Sequence, residues 1–431
     1  MSAFENIHAR LRGRKWPVVV LIVVMVVGGA LLLAQDPRTI HVRSAYAIGA
    51  PEFPGYLASL VNSPLLRGGQ YKVLANGDQI YPAMVGAIDR ATRRVEFETY
   101  NFLDGTAGSQ FAQALAGAAR RGVDVRVIVD TVGATPPPAA LRNELATAGV
   151  RLVWFNPVGM WTVEATNNRT HRKLLIVDGA VGYTGGVGVA DHWLGNARNE
   201  KEWRDTHFEV TGPVVQALEA CFYENWVEAG GTDAPPIGPA PSSTPSPGDD
   251  ISIVVWSNPT IGVSNVKLLY LYSIDAARQT IDIQSPYFVL DSSVRLALTR
   301  ARARGVRIRV LTDGEHTDTK SVKHASRNEY ADLIDAGDRV FEYQPTMMHA
   351  KAIVIDRRWS IFGSANFDNR SLELNDEITI AADDVGLAAT LSAAFDADLE
   401  KSKEWRLDEW RKRPWHWKVR EQFWGLFGEV F

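Results

Sequence analysis

Two stretches of this chain repeat one arrangement of chemically active side chains. "HRKLLIVDGAVGYTGG" occupies 171–186 and "HAKAIVIDRRWSIFGS" occupies 349–364. Each reads His, any residue, Lys, four residues, Asp, six residues, Gly and then a small residue. Side chains two apart on a strand share a face, so the spacing predicts His171 beside Lys173 and His349 beside Lys351. An imidazole can attack phosphorus or move a proton, and an ammonium can offset charge on non-bridging oxygens. Two such pairs in one cleft suit phosphoryl transfer through a covalent phosphohistidine, with the second His serving the leaving and entering oxygens. Protonated Lys has no lone pair and no Cys/His cluster has zinc-like spacing, so neither a metal nor a cofactor is expected. Asp178 and Asp356 complete the candidate catalytic set. At strand rise each stands about 15 Å beyond its Lys, too far for attack at the same phosphorus, which suits a support for loops or backbone donors.

The elements that carry the motif also repeat. "LLIV" and "AIVI", directly after each Lys, have the apolar run of a buried strand in an α/β sheet. Gly185-Gly186 and Gly363-Ser364 follow at a turn where backbone can approach a ligand closely. Upstream, "VEFETYNF" (95–102) and "IDIQSPYF" (281–288) alternate like strands and lead into helix-like stretches rich in Ala and Arg. "RRGVDVRVIVD" (120–130) and "RARGVRIRVLTD" (302–313) come next, with Gly122 and Gly305 placed to end a helix before a buried strand. "VWFNPVGM" and "FEYQPTMM" then lead towards the two motifs. Duplication of a βαβ-type unit accounts for the whole series.

At 431 residues with 46% hydrophobic content, the chain can bury a large core in two lobes. A net charge of −4 offers no whole-protein field for polyphosphate backbones, so nucleic acid is not an expected partner. Cys221 is the sole cysteine and, within "LEACFYENW", fits a buried helix position. Residues 16–34 hold no charge and are long enough to cross a bilayer as a helix; Arg10, Arg12, Arg14 and Lys15 precede them in the basic segment 1–15. This predicts a single-pass anchor with a cytoplasmic N-terminus and the catalytic part across the membrane. A cleavable signal peptide is the competing reading, although the apolar run is longer than such peptides use. Residues 230–250 are a Pro/Gly/Ser-rich linker, dividing a first lobe at 65–229 from a second at 251–400. The segment 404–431 sets tryptophans among Arg and Lys, which fits either a helix lying at a lipid interface or one packed on the protein through its aromatics.

With these residues in view, the chain resembles the phospholipase D superfamily, whose members carry twin His-Lys-Asp motifs. It is most similar to bacterial cardiolipin synthases of the phospholipase D type, through "YTGGVGVAD" (183–191), "EWRDTHFEVTGPVV" (202–215), "SPYFVLD" (285–291), "ASRNEYADLIDAG" (325–337), "EYQPTMMHAK" (342–351) and "GSANFDNRSLELNDE" (363–377). The resemblance implies duplicated α/β lobes with mixed sheets meeting at one pseudo-two-fold active site. It implies transfer of a phosphatidyl group between phospholipids such as phosphatidylglycerol, with His171 in the place commonly assigned to the nucleophile. Asp205, Asn366 and Glu377 match accessory active-site positions. One position departs: cardiolipin synthases usually read Gly-Gly-x-Asn after the first motif, and this chain has Gly188 where that Asn would stand. A hydrolase acting on phospholipid, or less readily on nucleic acid, would share both motifs; a non-catalytic membrane protein that kept the fold would share them too. His192, His207, His316 and His324 fit packing or surface roles, with His207 notable for its closeness to Asp205.

Overall fold

The computed structural model describes residues 23, 39–134, 139–157, 168–234, 250–258 and 264–428. Apart from Val23, the expected membrane segment lies outside the described residues, as does most of the linker. Among the described residues no helix is long and apolar enough to cross a membrane.

Strands β1 (Leu65–Arg67) to β8 (Thr206–Thr211) precede the linker; between them run β2 (Gln70–Ala75), β3 (Arg94–Thr99), β4 (Asp124–Asp130), β5 (Arg151–Phe155), β6 (Leu174–Val177) and β7 (Val181–Gly185). After it come β9 (Ile251–Trp256), β10 (Thr280–Gln284), β11 (Arg307–Asp313), β12 (Arg339–Tyr343), β13 (Ala352–Ile355), β14 (Trp359–Gly363), β15 (Ile378–Asp383) and β16 (Ser402–Trp405). The seven-stranded sheet runs β2-β8-β7-β6-β3-β4-β5. The nine-stranded sheet contains β9-β15-β14-β13-β10-β11-β12 in the same order, extended by β1 at one edge and β16 at the other. Both sheets are mixed: β3, β4 and β5 are parallel, as are β10, β11 and β12, while β6 and β13 run antiparallel to their neighbours. The duplication therefore extends to strand order and direction. Because β1 pairs with β9, sheet membership crosses the linker.

The helix Thr106–Arg120 ends at Gly122, φ 88°, and the helix Ser292–Ala303 ends at Gly305, φ 86°. Only a residue without Cβ adopts this left-handed turn readily, so the two glycines release the chain into β4 and β11 at equivalent points. All four residues of β6 and of β13 are buried. One face of each sheet is covered by its own helices; the other faces meet in a shared core with the helices Val214–Glu228 and Val385–Leu399. There Phe208 of β8 stacks on Phe362 of β14, ring centroids 4.0 Å apart. Burying an apolar side chain of this size contributes about 1.5–3 kcal/mol, so this core fixes one half against the other. Cys221 lies buried in the Val214–Glu228 helix.

Candidate active site

His171, Arg172 and Lys173 run extended immediately ahead of β6, and His349 to Lys351 do so ahead of β13. The sequence pattern places these residues inside the strands; they stand just before them because their backbone groups pair with the opposite half. The His171 N–H donates to the Asp376 carbonyl at 2.9 Å, and the Asp376 N–H donates to the Arg169 carbonyl at 3.0 Å. Reciprocally, the His349 N–H donates to the Arg204 carbonyl at 2.7 Å and the Arg204 N–H to the Met347 carbonyl at 2.9 Å. Each motif is thus clamped to the segment leading into β15 or β8 of the other half. Pairs that exchange in this way are the mark of a two-fold relation.

The carboxylates that hold the imidazoles cross over as well. His171 Nδ1 lies 2.8 Å from Glu377, and His349 Nδ1 lies 2.8 Å from Asp205. A ring nitrogen facing a carboxylate carries the proton, which leaves Nε2 of each His with its lone pair directed elsewhere. Asp205 also accepts from the Trp193 indole at 2.9 Å and from the Thr206 N–H at 2.7 Å. Glu377 accepts from the Ser364 hydroxyl. Lys173 donates to the His171 carbonyl at 2.9 Å and Lys351 to that of His349 at 2.7 Å, which sets each ammonium beside its own imidazole. Tyr100 packs edge-on to His171 at 5.5 Å, while Trp193 and Trp203 flank His349, both at 5.4 Å.

Burial dominates the charge state of these groups. It pushes Lys173 down to about 7 and Lys351 down to about 8. It lowers His171, against the opposing pull of Glu377, and lowers His349 further with help from the Lys351 ammonium. Burial also raises Asp205, with Lys351 acting against it. Glu377 is lowered, because the His171 and Lys173 side outweighs its burial. Two ammonium groups confined in a dry cleft form a site that an anion completes, since opposite charge restores the protons that desolvation removes.

Asp178 and Asp356 face away from this cluster. Asp178 accepts the N–H groups of Thr92, Arg93 and Arg94 at 2.7–3.3 Å, and Asp356 those of Arg278, Gln279 and Thr280 at 2.7–2.9 Å. Both tie the turn after a motif strand to the start of β3 or β10, the supporting role their spacing predicts. His207 is buried and pushed down to about 3, with neither ring nitrogen hydrogen-bonded. His192 stacks on Trp203 at 3.8 Å.

A family profile described as "Cardiolipin synthase, PLD-like domain" matches residues 84–220 and 270–399. The chain belongs to this family. A cardiolipin synthase of Halalkalibacterium halodurans is 32% identical over 364 residues, covering 84% of this chain and 72% of the relative. Cardiolipin synthase A of Pseudomonas fluorescens is 34% identical over 357 residues, covering 83% and 74%. The crystal structure of phosphatidylserine synthase from Haemophilus influenzae shares the fold, with a TM-score of 0.68 at 12% identity, covering 86% of this chain and 98% of that one.

Within this cardiolipin synthase-like frame, the glycines of the motifs have a purpose other than ligand approach. A Cβ on Gly186 would lie 2.2 Å from Asp205 Oδ1, so the carboxylate that serves His349 occupies the space a side chain would need. Ser364, the equivalent in the second half, instead donates to Glu377. Gly188 is less tightly enclosed: a Cβ there would lie 3.0 Å from Asn101 Cβ and 3.2 Å from the Trp193 ring, so a side chain would have to shift these neighbours by a few tenths of an ångström. Asn366 is buried at the corresponding point of the second half, its Oδ1 without a hydrogen-bond partner. Sequence spacing missed Trp193, Tyr100 and Ser364; the first two belong to no motif, and Ser364 reads only as a small residue.

Proposed function

We propose that this chain is a phosphatidyltransferase that makes cardiolipin, joining two phosphatidylglycerols or closely related phospholipids. What carries the reading is the reciprocal clamp: two His-Lys pairs, each imidazole oriented by a carboxylate from the opposite half, in a member of the cardiolipin synthase family. With the donor phosphate bound, the second His takes up a proton on Nε2 from solvent; the Nε2 lone pair of the first attacks phosphorus, the bond from phosphorus to the glycerol oxygen breaks, and the second His passes its Nε2 proton to that oxygen. The same second His then takes the proton from an acceptor hydroxyl, whose oxygen attacks phosphorus as the phosphorus–nitrogen bond breaks. Lys173 and Lys351 offset the charge on the non-bridging oxygens throughout. An ionised Glu377 beside His171 offsets the positive charge its ring gains on phosphorylation, which supports His171 as nucleophile and His349 as acid and base. Asp178 and Asp356 hold the turns behind the motifs, and Asn366 stays buried with its Oδ1 unpaired.

The anchor reading supplies the setting. Residues 16–34, preceded by Arg10, Arg12, Arg14 and Lys15, would hold the N-terminus in the cytoplasm and the two lobes at the opposite surface of the inner membrane. Thin-layer chromatography of lipids from cells lacking their own cardiolipin synthases tests the activity. Expression of the wild type should yield cardiolipin, and His171→Ala or His349→Ala should not. Release of phosphatidic acid without cardiolipin would replace the transferase by a hydrolase.

A further inference from the structure

The helix Trp415–Gly425 has two unlike faces. Its inner face is fastened to the second half. Buried Glu421 accepts from Arg413 at 2.6 and 2.9 Å, Arg327 lies 5.1 Å from the Trp417 ring, and Trp424 packs against the cluster of Val289, Val322 and Ala325. Its outer face carries Trp415, Val419, Phe423 and, just past the end, Leu426, with exposures of 75%, 54%, 44% and 76%. Steps of four, four and three residues align these side chains in one stripe along a helix. From 411 to 428 the chain holds five Lys and Arg, and its one acidic residue is the Glu421 already paired inside. Lys412 and Arg420 are exposed beside the stripe, and Arg411, also exposed, pairs with Asp335 at 3.1 Å.

The cluster that receives Trp424 also receives Tyr287, two residues after Ser285, whose hydroxyl receives the Phe367 N–H at 3.0 Å next to Asn366. An apolar stripe with exposed cations along its helix has the chemistry of a surface that meets anionic lipid. We propose that the Trp415–Gly425 helix docks the catalytic lobes on an anionic bilayer, the stripe among the acyl chains and the flanking cations at the phosphates. The catalytic lobes are thereby held at the surface that contains their lipid. The choice of a lipid surface rests on the phosphatidyltransferase reading; the docking itself does not require turnover.

Cys221 is buried, so an introduced thiol can be labelled selectively. Full-length protein carrying Val419→Cys with an environment-sensitive dye should brighten and shift to the blue on vesicles of phosphatidylglycerol and phosphatidylcholine. Dye at Val385→Cys, exposed on another helix, should not. No response at 419, or an equal response to phosphatidylcholine alone, overturns the proposal. In a second measurement, Trp415→Ser with Phe423→Ser should cut turnover of vesicle phosphatidylglycerol at least tenfold and leave turnover of dissolved short-chain phosphatidylglycerol unchanged; equal loss on both overturns it. If the wild type turns over neither lipid, the transferase reading fails while the dye still decides the docking.

Discussion

Anion binding to the cleft should be accompanied by proton uptake from solvent. Burial holds Lys173 at about 7 and Lys351 at about 8. An opposite charge within about 4–6 Å raises a cation's pKa, so a bound phosphate or sulfate pulls both ammonium groups back to full protonation. At pH 8 the empty site holds Lys173 mostly neutral and Lys351 about half charged, so binding should take up about 0.9 proton at the first and about 0.5 at the second. At pH 6 both start charged and the lysine share falls towards zero. Calorimetric titration with sulfate, whose charge is constant over this range, in HEPES and in Tris reads the number directly from the dependence of the heat on buffer ionisation. Lys173→Met should leave roughly half a proton at pH 8. The sign follows: anion affinity weakens as pH rises through 7 to 9, because the proton must be supplied from an ever poorer source. Uptake below about 0.3 proton at pH 8 would show the lysines already charged in the empty cleft and refute the reasoning. Uptake that instead grows towards low pH would assign the proton to His171 and His349.

Three further outcomes follow from the geometry. Replacing Glu377 with Gln keeps the side chain's size but removes its charge, which should move the ring nitrogen shifts of His171 and cost about 10–100-fold in kcat; Asp205→Asn should do the same at His349, and the reverse assignment in nitrogen-15 spectra would sink the crossed pairing. Gly186→Ala drives a methyl to within 2.2 Å of Asp205 Oδ1, so turnover should fall at least about 100-fold, whereas Ser364→Ala, losing one hydrogen bond to Glu377, should cost about tenfold, both at unchanged circular dichroism. Removing the Asp356 carboxylate with Ala strands three backbone donors and should lower unfolding free energy by about 2–4 kcal/mol in urea, with kcat per folded molecule unchanged.

The duplication was legible because each half spends the same residue types on the same structural tasks. Gly122 and Gly305 end equivalent helices, "LLIV" and "AIVI" fill equivalent buried strands, and the strand order repeats across all seven members. The His-Lys pairs could be read from period two alone, although clamping by the opposite half places them before their strands. Which carboxylate serves which imidazole could not be read. Asp205 lies 144 residues from His349 and Glu377 lies 206 from His171, so the partners are set by how the halves dock, and docking depends on a distributed apolar core that no short pattern encodes.

Gly188 shows the same limit from the other side. In sequence it is a missing amide; in the fold it lies close against Asn101 and the Trp193 ring, whose indole N–H donates to Asp205 at 2.9 Å. The first half thus lacks a counterpart to the Asn366 amide but holds a donor that acts on the carboxylate orienting His349. The second half keeps Asn366 and steadies Glu377 through Ser364 instead. Near-symmetric backbones therefore carry unlike charge environments: Asp205 is raised and Glu377 is lowered, each beside an imidazole. A reaction that needs one nucleophile and one proton carrier needs such a difference, and here it comes from burial, which prevails at Asp205, and from His171 and Lys173, which with the Ser364 hydroxyl outweigh burial at Glu377.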